Sequence, residues 1–202
     1  LAEVYKYFKN VDKIQTSNKT AEMIKYTSNS LLATLISFSN EIGNLCASLG
    51  NVDALEVMRA VHLDKRISPI LDNGERVSPG IVNYLEAGCG FGGSCFPKDV
   101  KALIAHGIHV GEPMRVLKSV VAVNKDQPTQ VIDRLKKHFP NVKDVKVAVM
   151  GLAFKPGTDD MRESPSIPVI ELLIKEKAHV SAYDPVACHE AIKIFGSKDI
   201  HY

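Results

Sequence analysis

With 202 residues, 45% hydrophobic and 24% charged, the chain can bury an ordinary core and fits one or two domains. Its formal net charge of +2 is spread without a basic run, which removes the electrostatic footprint of a nucleic-acid or anionic-membrane partner. No stretch approaches the ~20 apolar residues of a membrane span and no signal-peptide pattern opens the chain, so a cytoplasmic protein is expected.

Taken in chain order, Met23, Ile24, Leu31, Leu32, Leu35, Ile36, Ile42 and Leu45 recur at three- and four-residue spacing without proline. This predicts one long helix or a kinked pair over 20–49, stopped by Gly50. A second helix is expected over 52–61, with Asp53 and Glu56 early and Arg59 late, as the helix dipole favours. Prolines and glycines between His62 and Leu85 mark a long loop. Pro97 suits the first position of a helix running to near Gly107, and 113–139 reads as a long helix interrupted or kinked near Pro128. A buried-type strand over 145–150, a helix opened by Ser164 and Pro165 and running to about Lys177, and a strand over 179–183 make a βαβ unit. The architecture predicted is α/β. An all-helical domain (1–112) is joined by a connecting helix (113–139) to the first part of a Rossmann-like, doubly wound domain (140–202).

The string Gly88-Cys89-Gly90-Phe91-Gly92-Gly93-Ser94-Cys95-Phe96-Pro97-Lys98-Asp99 sets a cysteine between a glycine loop and the first turn of a helix. Unpaired backbone N–H groups and the positive helix end favour thiolate there, and Lys98 adds charge. Asp99 follows about one turn later, either as a first-turn carboxylate serving the dipole or as a group acting on chemistry at the sulfur; the two roles are compatible. Taken alone, a cysteine in a glycine turn is more often a small buried hydrophobe. Cys46, Cys89, Cys95 and Cys188 lack C-x-x-C spacing and a histidine cluster, so no metal site is expected, and free thiols are expected in a reducing compartment. Cys46 reads as a helix core residue. Lys25 and Asn29, four apart, share a helix face. The loop 151–164 lies where open α/β sheets hold ligands: Phe154 can stack on a base or sugar, Lys155 can meet a phosphate, and Arg162 can grip one with both arms. Asp184 ends the second strand, where it is either a ribose-binding acid or part of an ordinary Asp-Pro turn.

The segment GFGGSCFPKD resembles the catalytic-cysteine segment of the UDP-glucose/GDP-mannose dehydrogenase family. The stretch Glu22-Met23-Ile24-Lys25-Tyr26-Thr27-Ser28-Asn29 is similar to the family's E-x-x-K-x-x-x-N helix, and Asn40-Glu41 to the N-E after it. Gly151-Leu152-Ala153-Phe154-Lys155-Pro156-Gly157-Thr158-Asp159-Asp160-Met161-Arg162-Glu163-Ser164-Pro165 is similar to its C-terminal nucleotide-binding signature. The resemblance, over roughly 17–202, implies oxidation of a nucleotide-sugar C6 alcohol to a carboxylate in two steps, with two hydrides passed to two NAD molecules. It implies Cys95 as nucleophile toward the aldehyde, Lys25 and Asn29 as stabilisers of oxygen charge, and Asp99 as the residue positioning or activating water. Phe154 and Lys155 would touch the nucleotide-sugar and Arg162 the cofactor side. The glycine loop, through Phe91, Gly92 and Gly93, would let backbone N–H groups approach the sugar. Tyr84 and either Arg66 or Arg76, with Arg76 the nearer to Tyr84, match the family's upstream sugar-site arginine, which sometimes reaches across a dimer. A UDP-sugar is favoured over GDP-mannose, and a homodimer through the central helices is implied. The chain opens on Leu1 and has no G-x-G-x-x-G turn following a first strand, so the family's N-terminal NAD-binding domain is expected to be absent. The competing reading is a non-catalytic module that binds nucleotide-sugars or dimerises.

Overall fold

The computed structural model describes residues 3–197 and 199–202. Its first long element, α1 (Asn18–Leu49), is one unbroken helix of 32 residues, so the predicted long helix stands and the kinked pair does not. Ser17 caps it by accepting the Thr20 N–H at 3.2 Å, and Gly50 ends it with φ of 68°. Helix α2 (Ala54–His62) is capped by Asp53, whose carboxylate accepts from the Leu55 and Glu56 N–H groups. The expected long loop follows. It contains a single antiparallel bridge between Ile70 and Arg76 and a 3-10 helix, Gly80–Tyr84.

Helix α3 (Phe96–His109) begins directly after Cys95 with proline in its first turn, and it runs two residues past Gly107. That glycine interrupts nothing, and it is where Met114 packs: a Cβ there would lie 2.3 Å from the Met114 side chain. Helix α4 (Arg115–His138) continues through Pro128, which is buried inside it. The predicted connecting helix is therefore a single element despite the proline, held on both sides by tertiary packing. Val120 belongs to a core with Ala33, Phe91 and Val100, while Ile132 belongs to a second core with Leu152, Ile170, Leu173 and Val180. One helix thus ties two hydrophobic clusters together.

The second cluster lies under a three-stranded parallel sheet in the order β1 (Lys146–Met150), β2 (His179–Tyr183), β3 (Ile200–His201). Lys146 aligns with His179 and Met150 with Tyr183. Helices α5 (Ser166–Lys175) and α6 (Cys188–Phe195) send Ile170, Leu173 and Ala191 into the same cluster as Val147, Val149, Val180 and Ala182. The expectation of a fully buried strand at 145–150 needs correction. Val147 and Val149 are half-buried, but Lys146, Ala148 and Met150 are exposed. Among the described residues no helix is long and apolar enough to cross a membrane.

Candidate active site

Cys95 stands at the N-cap of α3, exposed and unbridged, and its carbonyl accepts the Asp99 N–H at 2.9 Å. The helix therefore starts at the thiol and carries Asp99 to the same end one turn later. Asp99 is only 3% exposed. Its Oδ2 accepts a 2.5 Å hydrogen bond from Asn29 Nδ2, and its Oδ1 is paired with Lys98 Nζ. Asn29, buried on α1, in turn accepts from Lys25 Nζ at 3.0 Å through Oδ1. The four-residue spacing that puts Lys25 and Asn29 on one face of α1 thus aims both at the first turn of α3. Sequence reasoning predicted all four residues, and the fold joins Lys25, Asn29 and Asp99 in one chain of hydrogen bonds beside the thiol.

Burial pushes the Asp99 carboxyl up, but hydrogen bonds from Lys98 and Asn29 and the charges of Lys98 and Lys25 outweigh it and hold the group below its ordinary value. The Lys98 ammonium is raised mainly by its bond to Asp99, with smaller contributions from Tyr26 and Cys95; its Nζ lies 5.6 Å from the Tyr26 ring centroid. Asp99 therefore carries its negative charge one turn after Cys95, with the Lys98 and Lys25 ammonium groups acting on the carboxylate. Asn29 has one amide hydrogen not used on Asp99, and Lys25 has two donors not used on Asn29.

The loop before Cys95 meets the loop after β1. Gly93 N–H donates to the Arg162 carbonyl at 2.8 Å. A Cβ on Gly92 would lie 2.3 Å from the Glu163 carbonyl oxygen, and one on Gly93 would lie 2.7 Å from the Phe154 ring. The glycines are needed so that one stretch of the protein can pass another, and the Gly93 N–H is spent on Arg162, which corrects the expectation that this N–H is open to a sugar. Phe91 needs the same correction: its ring is 8% exposed, edge-on to Phe96 at 6.0 Å, and its N–H is taken by Asn124. Phe154 does stand at the loop, half-buried on Gly93, with Lys155 Nζ 5.3 Å from its ring centroid. Arg162 forks onto Asp160 through Nε at 2.9 Å and Nη2 at 2.6 Å.

Tyr84, Arg66 and Arg76 do not join this cluster through any hydrogen bond among the described residues. Arg66 forks onto Asp64, Nη1 of Arg76 donates to the carbonyls of Leu63 and Ser68, and Tyr84 is exposed at the end of its 3-10 helix. Within one chain the two arginines brace their own loop. Asp184 is settled in favour of the turn. Its Oδ2 accepts from the N–H of Leu152 at 2.8 Å and Ala153 at 3.3 Å, and its Oδ1 from Val186 at 2.8 Å and Ala187 at 2.9 Å. Burial raises it, but the four backbone donors carry it down to about 2, and no oxygen is left for a ribose. Sequence reasoning missed Asn124, Gln127 and Asn44, amides on long helices with partners 33 to 90 residues away. The one local signal was an asparagine directly after the apolar run Val120-Val121-Ala122-Val123.

The model of the UDP-glucose/GDP-mannose dehydrogenase family central domain matches residues 19–126, and that of the family's UDP binding domain matches 148–202. The chain is 41% identical over 189 residues to UDP-glucose 6-dehydrogenase TuaD of Bacillus subtilis, covering 94% of this chain and 38% of that protein. It is 42% identical over 193 residues to UDP-glucose 6-dehydrogenase AglM of Haloferax volcanii, covering 96% and 41%. A solved UDP-glucose dehydrogenase from Pyrobaculum islandicum superposes with a TM-score of 0.87 at 39% identity, over 100% of this chain and 43% of that one. The UDP-N-acetyl-mannosamine dehydrogenase Cap5O of Staphylococcus aureus gives 0.66 at 28%, over 92% and 39%. The chain thus spans about two fifths of the length of these relatives. Two family models in tandem and a shared fold carry one conclusion: the chain belongs to the UDP-glucose/GDP-mannose dehydrogenase family.

Proposed function

We propose that this chain is the nucleophile- and substrate-bearing part of a NAD-dependent UDP-sugar 6-dehydrogenase, with UDP-glucose as the favoured substrate. The observation that carries the reading is Cys95 at the N-terminus of α3 beside the chain Lys25, Asn29, Asp99. The similarity to a UDP-glucose dehydrogenase structure exceeds that to a UDP-N-acetyl-mannosamine dehydrogenase in both identity and TM-score, which supports glucose over the N-acetyl sugar. NAD, when bound, supplies the hydride acceptor, twice per sugar. The α/β region of this chain does not fit it, since Asp184 has no free oxygen for a ribose. An additional NAD-binding domain in the complete enzyme is therefore part of the proposal, with Arg162 facing the cofactor.

Alcohol oxidation at C6 leaves an aldehyde. The Cys95 sulfur adds to its carbon, and Lys25 and Asn29 donate hydrogen bonds to the oxygen that gains charge. Loss of hydride from that carbon converts the thiohemiacetal to a thioester. Water held by the Asp99 carboxylate then attacks and gives up a proton to it, the C–S bond breaks, and Cys95 is restored as the thiolate as the sugar acid departs. Phe154 and Lys155 hold the nucleotide-sugar. In the complete enzyme Cys95→Ser should abolish sugar-acid formation yet keep UDP-glucose affinity within about threefold, because only the second oxidation needs the thiol. Wild-type acid formation by a correctly folded Cys95→Ser protein would overturn the mechanism.

The proposed partner at α1 is a second copy of the chain. Ile24, Leu31, Phe38 and Leu45 recur every seventh residue, each between 50% and 57% exposed. A stripe of that period suits another helix laid along it. In such a dimer Tyr84 and the arginines of the 63–85 loop are free to meet the other subunit's sugar site. Light scattering at micromolar concentration should give twice the 22.1 kDa chain mass, and a clean monomer would count against the dimer.

A further inference from the structure

Four backbone groups of the loop leading to Cys95 are held by side-chain amides from two helices. Gly88 N–H donates to Asn40 Oδ1 on α1 at 2.7 Å, and Gly88 C=O accepts from Gln127 Nε2 on α4 at 2.7 Å. Phe91 N–H donates to Asn124 Oδ1 at 2.7 Å, and Phe91 C=O accepts from Asn124 Nδ2 at 3.0 Å. One primary amide thus satisfies both polar groups of one residue, as a neighbouring strand would. Gly90 is shaped to this contact: it has φ of 101°, and a Cβ on it would lie 2.7 Å from Asn124 Oδ1. Beyond the amide, the Phe91 ring is wedged against Phe96, the residue directly after Cys95. On the far side of the loop Gly93 N–H is bound by the Arg162 carbonyl. Among the described residues the sulfur itself has only Ser94 Oγ, at 3.8 Å, as a hydrogen-bond neighbour, so its placement depends on the backbone on either side of it.

We infer that Asn124 is a positioning residue for Cys95: its amide fixes Phe91, and through Phe91 and Phe96 it sets where the thiol stands relative to Asn29 and Asp99. Gln127 and Asn40 hold the start of the same loop. The inference rests on the proposed role of Cys95 and adds residues that do not touch substrate. A displacement of order 1 Å at a reacting atom can cost ~100-fold. The cost falls on the step that uses the thiol.

In the complete enzyme, Asn124→Ala should slow acid formation from the UDP-sugar 6-aldehyde by roughly 10- to 100-fold. Single-turnover oxidation of the alcohol should keep its rate, and KM for the UDP-sugar should stay within about threefold. Asn124→Asp retains the acceptor for the Phe91 N–H and should lie between wild type and Asn124→Ala. It also serves as the folded variant if the alanine form is unstable. Amide hydrogen exchange should be at least tenfold faster at Phe91 in Asn124→Ala, with α1 and α3 unchanged. Equal losses in both oxidation steps, matching a lost folded fraction, would overturn the inference, and so would unchanged exchange at Phe91. Failure of the wild-type enzyme to oxidise UDP-glucose would instead strike the functional reading, while exchange at Phe91 still judges the clamp because it needs no reaction.

Discussion

The helical region and the α/β region each hold an aspartate withdrawn from water and kept ionised, by different means. Asp99 takes its donors from side chains, Lys98 and Asn29, with Lys25 one bond further out. Asp184 takes four from the backbone, at Leu152, Ala153, Val186 and Ala187. Backbone donors belong to the fold and cannot be redirected without moving it. Side-chain donors can be shared with a ligand that arrives beside them, since an ammonium and an amide have hydrogens to spare. The first arrangement is the one the proposed chemistry at Cys95 would draw on, and the second locks the turn after β1 to the start of α6.

The largest expected effects sharpen this contrast on the Asp99 side. Asp99→Asn or Lys25→Ala should lower turnover of the aldehyde by about 100-fold or more in the complete enzyme, because each removes charge from a site where oxygen charge develops. Asn29→Ala should do less. Steady-state kinetics beside thermal melts decide the matter: a loss of melting temperature with normal turnover would make the Asp99 cluster as structural as that of Asp184.

Asp184→Asn should show the reverse pattern, a folding defect. The folded carboxyl at about 2 lies below its ordinary 3.8, so its stabilising contribution is complete above pH ~4 and is lost as pH falls through about 2. That difference corresponds to about 2 kcal/mol. Asparagine keeps one acceptor and turns an amide toward two backbone N–H groups, so a loss of similar size is expected. Chemical denaturation at pH 7 measures it. A titration from pH 4 to 2 should show a shallower stability slope in the variant, and an unchanged slope would break the assignment of the lock.

What was legible from sequence follows the same division between local and distant partners. Cys95, Pro97 and Asp99 lie within five residues, and Lys25 and Asn29 within one helical turn, so helix geometry alone places each group on a face. The docking of α1 on α3 that joins them is a tertiary event, and only the family resemblance anticipated it. Where partners are remote, local reasoning did less well. Pro128 reads as a break, yet packing of α4 into both cores carries the helix through it. Phe91 and Gly93 read as ligand-facing because a bare loop looks open; the groups that take their N–H, Asn124 and the Arg162 carbonyl, come from 33 and 69 residues away. The long 63–85 loop was legible as a loop, but the carbonyls that hold Arg76 within it were not.

Arg162 tests the junction between the two regions, and its expected effect is the smallest. Its backbone and side chain act separately: the carbonyl holds Gly93 at 2.8 Å, whereas the guanidinium, 68% exposed, leans on Asp160. Truncation at Cβ leaves the carbonyl in place, so Arg162→Ala should keep the Cys95 loop and the UDP-sugar affinity within about twofold. If the guanidinium faces the cofactor, KM for NAD should rise several-fold with kcat nearly unchanged, the mark of a group that binds ground state and transition state alike. A fall in kcat with KM for NAD unaltered would move Arg162 out of the cofactor role and into the set of groups that hold the loop. The carbonyl contact would then depend on the Asp160 fork, and the two regions would be coupled at that point through a side chain as well as through the backbone.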